Sequence, residues 1–232
     1  MKVSLINVGD EILSGDIENT NAVWIARRLK ELGSSLVKIT VIPDDIDVIA
    51  EEIKNSKADY IIVTGGLGTT PDDVTREGVA KALNLKLEFN REALKCMERY
   101  IEKYGLTDQI KKMATLPEGS QIICNKVGAA PGFIVRNVIV LPGVPKEMMT
   151  MFEEISKIFA GEKEIVREVV TSAREMKISD LLEEFTRNFP ELKIGSYPKE
   201  NSVRIKISGK DDEKVRKAFE WLKKRLKKYE MP

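Results

Sequence analysis

Histidine is absent from the 232 residues, and with it goes the side chain that most often serves as a general base near neutral pH. Any catalysis must then rest on carboxylates, lysine or metal-bound water. Cysteine is scarce: Cys96 and Cys124 are the two in the chain. They form no CxxC pair, and without histidine a zinc site of the usual Cys/His type is excluded. Two lone cysteines fit a reducing interior, where structural disulfides are rare. No run reaches the roughly 18 apolar residues of a membrane span. The opening MKVSLINVGDEIL lacks both the length of a signal-peptide core and a small-residue cleavage site. A cytoplasmic protein with no membrane partner is expected. One-sided charge is also missing. The net charge of +1 supplies no global basic field, so nucleic acid is not an expected partner. The locally basic end, VRKAFEWLKKRLKKYEMP, reads as the solvated face of an amphipathic helix.

What is present is an ordinary globular balance, 42% hydrophobic and 32% charged, at a length where one domain becomes two. Val3 to Gly9 is a short apolar run ending in glycine, read as a buried strand. NTNAVWIARRLKELG follows as a helix, with Ala22, Ile25, Ala26, Leu29 and Leu32 at 3.6-residue spacing. Asn19 or Thr20 caps its start, and Gly33 lies just past its end. SLVKITVI is a second strand, and DDIDVIAEEIKNS a second helix that starts at Asp44 or Asp45. YIIVTGG is a third strand, followed by a helix around Arg76 to Leu83. This alternation predicts βαβ units and a mostly parallel sheet covered on both faces. NREALKCMERYIEKYG reads as one inserted helix. A helix from about Pro145 buries Met148, Met151, Phe152, Ile155 and Phe159. Beyond AGEKEIV the pattern is β-α-β-β-α, a compact α+β unit. The expected domains are 1–164 and 165–232.

Ligands in such sheets bind beyond the carboxyl ends of the strands. That rule gathers GDEI, PDD and GGLGTTPDD at one edge. Gly65, Gly66 and Gly68 let backbone N–H groups approach an anion, and the next helix adds its N-terminal dipole. The loop is neither a Walker loop nor GxGxxG. Thr70-Pro71-Asp72-Asp73 fits a helix start, Thr75 fits one equally, and the spacing leaves the register open. Asp72 and Asp73 are thus either first-turn acids or holders of a cation that bridges to phosphate. Asp10 and Glu11 form either a solvated turn or part of the same acid cluster, and Asp44 is either a dipole partner or a ligand. In LPGVPKEM, Gly143, Pro145 and Lys146 make either a rigid helix start or a second anion contact.

The blocks GDEILSGDIENTNAVWIARRLKELG, TGGLGTTPDDVTREGVAKAL and MATLPEGSQIICNKVGAAPGF…LPGVPKEMMTMFEE resemble the CinA family in order across most of residues 1 to 160. The glycine loop also resembles the wider molybdopterin-binding domain, although Leu67 and Asp72 stand where that branch carries threonine and arginine. KISDLLEEF…LKIGSYP…VRIKISG is similar to the KH-like module of CinA proteins, without the GxxG loop of a nucleic-acid clamp. The resemblance implies an α/β fold: a three-layer α/β/α molybdopterin-binding-like domain followed by a small α+β KH-like domain. It implies a metal-dependent hydrolase of a nucleotide-sugar diphosphate, ADP-ribose foremost, or alternatively a molybdopterin- or nucleotide-binding module with little turnover. The matching functional aspartates are Asp44 and Asp73. Asp73, Asp44 and Asp10 would hold Mg²⁺ or Co²⁺, with potassium also implicated. Gly9, Asp10, Glu11, Gly65, Gly66, Gly68, Thr69, Gly132, Gly143 and Lys146 would bind substrate. The resemblance further implies a homo-oligomer, a dimer ahead of a trimer. The deamidase domain of many CinA proteins is not expected in a chain ending at Pro232.

Overall fold

The computed structural model describes residues 1–229 and divides into two compact units, Met1–Gly161 and Glu162–Pro232. The last three residues of the expected second domain lie outside the described residues. Unit one contains β1 (Lys2–Val8), α1 (Asp10–Leu13), α2 (Thr20–Leu32), β2 (Ser35–Ile42), α3 (Ile46–Asn55), β3 (Tyr60–Thr64) and α4 (Thr75–Leu83). It continues through β4 (Leu87–Phe89), α5 (Arg91–Cys96), α6 (Glu98–Tyr104), α7 (Asp108–Met113), β5 (Thr115–Pro117) and β6 (Gln121–Ile123). It closes with β7 (Gly132–Val135), β8 (Val138–Leu141) and α8 (Pro145–Ile155).

The main sheet has six strands in the order β2-β1-β3-β8-β7-β6. The ladders from β2 to β8 are parallel, and β7 and β6 are antiparallel additions. Alternation along the strands divides the core. Ile6, Ile61, Val63, Val138 and Val140 face one layer together with Ile49 and Ile53 of α3 and Val79 of α4. Leu5, Ile62, Ile139 and Leu141 face the other, with Ile25 and Leu29 of α2 and Met148, Met151 and Phe152 of α8. This is a three-layer α/β/α arrangement. The α8 stripe is core as its spacing predicts, with Phe152 stacked on Phe159 at 5.2 Å and met edge-on by Trp24 at 5.3 Å. Phe159 itself sits in a 3-10 turn, Ser156–Phe159, beyond the helix.

Two local expectations need correction, and one open choice is decided. The stretch from Asn90 to Gly105 is two helices rather than one. Met97 leaves helical geometry (φ −101°, ψ 12°) and is fully buried, so packing breaks a run that periodicity reads as continuous. Cys96 and Cys124 are joined in a disulfide, with Cα atoms 5.3 Å apart across 28 residues of sequence. Separation along the chain carried no information about separation in space, and the pairing departs from the reducing-interior reading. Asp45, not Asp44, caps α3, accepting from the N–H groups of Asp47 (2.8 Å) and Val48 (3.0 Å).

Unit two follows the expected order with β9 (Ile165–Thr171), α9 (Glu175–Asn188), β10 (Lys193–Lys199), β11 (Ser202–Gly209) and α10 (Asp212–Leu226). Its three antiparallel strands run β10-β11-β9. Val203, Ile205 and Ile207 pack against Ile178, Leu181 and Phe185 of α9 and Val215, Ala218 and Leu222 of α10. Among the described residues, no helix is long and apolar enough to cross a membrane.

Candidate functional site

The segments that leave the carboxyl ends of β1, β2, β3 and β8 surround one cleft of about 640 Å³. Its lining includes Gly9, Glu11, Asp44, Gly65 to Thr69, Asp72, Asp73, Gly143 and Glu147. Beneath it, buried Asn7 donates from Nδ2 to Thr64 Oγ1 at 2.6 Å and accepts from Asn19 Nδ2 at 3.1 Å. Asn19 Oδ1 caps α2 by accepting from Ala22 N–H. Asn21 Nδ2 reaches the carbonyl of Gly143 at 2.7 Å. These amides fasten β1, β3, α2 and the segment before α8 into one floor.

The glycine loop turns back sharply after β3. Gly65 has φ +101°, and a Cβ there would lie 2.2 Å from the Val8 carbonyl oxygen. Gly66 has φ +64°, and its Cβ would lie 2.2 Å from Thr75 Oγ1. Glycine alone meets both requirements. The loop carbonyls are then anchored on the start of α4. Thr75 Oγ1 donates to Gly65 O (2.9 Å), Thr75 N–H to Gly66 O (3.3 Å), and Arg76 to Leu67 O (2.7 Å) and Gly68 O (3.0 Å). In a trans peptide the C=O and the following N–H point oppositely. Anchoring the carbonyls of Gly65, Gly66 and Gly68 therefore turns the N–H groups of Gly66, Leu67 and Thr69 away from α4. These three N–H groups have no acceptor among the described residues, and all three residues line the cleft. Successive free N–H groups of this kind make an anion-binding concavity.

Asp73 braces the same loop from inside the chain. Its Oδ1 accepts from Gly68 N–H at 2.7 Å, and its Oδ2 accepts from Thr70 N–H at 2.8 Å and Thr70 Oγ1 at 2.5 Å. The helix begins at Thr75 with Val74 as its cap residue, so Thr70-Pro71-Asp72-Asp73 is a turn and not a helix start. Asp44 is partly buried and accepts from Asp10 N–H at 3.1 Å. Burial pushes its carboxyl above the ordinary aspartate value. The Asp10 N–H opposes the shift, while the nearby charges of Asp10, Glu11 and Asp72 reinforce it. Glu11 folds back over Gly9, whose missing Cβ would sit 2.6 Å from the Glu11 carboxylate.

The structure thus brings Gly9, Glu11, Asp44, Gly65, Gly66, Gly68, Thr69, Asp73 and Gly143 to one cleft. Three expected residues fall elsewhere. Gly132 is buried in β7, where a Cβ would lie 2.6 Å from Val140 O, so its place is set by sheet packing. Lys146 is exposed in the first turn of α8, outside the lining. Asp10 lies outside the lining too, and reaches Asp44 through its backbone. Of the expected metal ligands, Asp44 and Asp73 share the cleft and Asp10 lies outside its lining. Both oxygens of Asp73 are committed to the loop, and no group of three Asp, Glu, Cys or His arranged to hold an ion occurs among the described residues. Arg76 and Asn7 escaped notice in the sequence. In the sequence Arg76 marks only the start of a helix, and Asn7 carries no signal beyond being polar inside an apolar strand.

Comparison with known proteins agrees with this architecture. Residues 4–161 match the family model described as probable molybdopterin binding domain, and residues 163–231 match that of the FAD synthase middle domain. A protein from Archaeoglobus fulgidus is 46% identical over 94% of this chain and 95% of its own. One from Sulfurisphaera tokodaii is 37% identical over 94% of this chain and 92% of its own. The crystal structure of the CinA protein of unknown function from Thermoplasma acidophilum covers 69% of this chain and 100% of that one, at 38% identity and a TM-score of 0.65.

Proposed function

This chain belongs to the family of the probable molybdopterin binding domain, and from that premise we propose that its cleft binds a phosphorylated pterin or nucleotide, seated by its phosphate on the glycine loop. The observation that carries the reading is the set of acceptor-free N–H groups of Gly66, Leu67 and Thr69, each directed by an anchored carbonyl on its own peptide. A volume of about 640 Å³ suits a small-molecule ligand of that size. The phosphate oxygens would accept from the loop. Asp44 and Glu11 lie in the same cleft, and their carboxylates suit the N–H donors of a pterin or purine ring.

Hydrolysis of a nucleotide-sugar diphosphate such as ADP-ribose is the second reading. Asp44 favours it: in a chain without histidine, a carboxyl raised by burial from its ordinary value is suited to proton transfer. No step is assigned to a metal. Calorimetric titration with ADP-ribose, AMP and inorganic phosphate, followed by chromatography of the incubated mixtures, tests both readings. Binding that phosphate competes away, with no products, supports the binding module. Release of AMP and ribose 5-phosphate moves the assignment to the hydrolase. Failure of every phosphorylated probe to bind refutes the phosphate seat.

A further inference from the structure

Arg76 is the largest fully buried side chain among the described residues, at 1% exposure. Its guanidinium donates to the backbone carbonyls of Leu67 (2.7 Å), Gly68 (3.0 Å) and Asp73 (3.4 Å). No carboxylate among the described residues forms an ion pair with it. A buried charge without a paired counter-charge is costly, and three carbonyls could be held by neutral donors at a smaller desolvation penalty. The cleft above the loop offers a reason for the charge. Among the described residues that line it there is no lysine or arginine, while Glu11, Glu18, Asp44, Asp72, Asp73 and Glu147 all contribute carboxylates. Lys112 reaches the far end of the loop, donating to Thr70 O at 2.6 Å, but from the lining itself only peptide dipoles face an anion against that field.

We propose that Arg76 is a positioning residue that makes the glycine loop selective for a dianionic phosphate, acting through the loop peptides from the side opposite the ligand. The inference rests on the loop being the phosphate seat. It has two parts. The guanidinium fixes the Gly68 carbonyl and so aims the Thr69 N–H, and by polarising that peptide it strengthens the N–H as a donor. Its full charge also lies behind the loop, in an interior where screening is weak. Burial draws the Arg76 pKa downward, while the fields of Glu77 and Asp73 oppose that shift. A bound dianion would act in the same sense as those two acids.

The test compares inorganic phosphate with monoanionic dimethyl phosphate on the full chain by calorimetry at pH 8. The variants are Arg76→Gln, which keeps carbonyl donors without charge, and Arg76→Lys, which keeps charge with fewer donors. The expected result is a preference for phosphate in the wild type that Arg76→Gln reduces by about tenfold with dimethyl phosphate little changed. Arg76→Lys should retain the preference. A folded Arg76→Gln with the wild-type ratio of the two affinities overturns the inference. If Arg76→Gln does not fold, a folded Arg76→Lys that has lost the preference overturns it instead. A wild type that binds neither anion refutes the phosphate seat itself, whereas unchanged selectivity in Arg76→Gln refutes only the role of Arg76. A purely structural strut would weaken both ligands alike.

Discussion

Replacing Asp73 with alanine separates a loop brace from a freely exposed reacting group. In the structure its two oxygens accept three hydrogen bonds, from Gly68 N–H at 2.7 Å, Thr70 N–H at 2.8 Å and Thr70 Oγ1 at 2.5 Å. A net contribution of about 1 kcal/mol is ordinary for such a bond. The two bonds to exposed Thr70 belong at the low end, because water replaces the carboxylate there. The sum is about 2 kcal/mol. For a domain of this size each kcal/mol moves the midpoint by roughly 2–4 °C, so Asp73→Ala should melt about 4–8 °C below the wild type. Asp73→Asn retains one oxygen and should lose about half as much. Thermal denaturation followed by circular dichroism measures both. Phosphate affinity should fall in parallel, because the Gly68 and Thr70 peptides are no longer held. A purely catalytic Asp73, the role that the CinA resemblance implies, would instead lose hydrolysis on replacement by alanine and leave the fold intact. A melting midpoint within about 1 °C of the wild type would refute the bracing role and return Asp73 to that simpler one.

Two further outcomes follow from the same geometry. The Asp44 carboxyl is raised by burial, so the native state binds its proton more readily than the unfolded chain does. The stability it contributes is therefore fullest below the unfolded value, falls as pH rises through the window up to the folded pKa, and stays reduced above it. Asp44→Asn should accordingly be more stable than the wild type at pH 7 and indistinguishable from it below pH 3.8, as denaturant titrations at the two pH values would show. The Cys96–Cys124 disulfide closes a loop spanning 28 residues, which in the chain-entropy treatment constrains the unfolded state by about 3–4 kcal/mol. Because Cys124 is exposed, reduction should proceed without unfolding and lower the melting midpoint by several degrees. Cys96→Ser should reproduce that loss, and a midpoint indifferent to reductant would contradict it.

Legibility in the sequence followed how local the cause was. The helix α2 announced itself through Ile25 and Leu29 on one face, the Asn19 cap and left-handed Gly33, all set within a few residues of one another. The β-α-β-β-α order of unit two was legible for the same reason. So was the gathering of acids at the sheet edge, because the strand-end rule needs only the order of elements. The break at Met97 was not legible, since it is imposed by burial of that side chain. Whether Asp44 or Asp45 caps α3 was undecidable from a pair of identical neighbours; the backbone path selects Asp45 and leaves Asp44 in the cleft. The loop posed the same difficulty, with two candidate helix starts in one stretch, and the anchoring of its carbonyls on Thr75 settled it.

The sequence by itself determined the layering, the two-part organisation and the position of a glycine loop after β3. Periodicity, caps and strand order are short-range properties, and each residue's own chemistry is enough to express them. Only the tertiary structure decided what the loop presents. Its free N–H groups exist because Thr75 and Arg76 hold the carbonyls behind them, and Asp73 faces inward because Gly68 and Thr70 offer it donors. Hydrogen-bond direction is a property of atoms placed together in space, and no spacing along the chain encodes it.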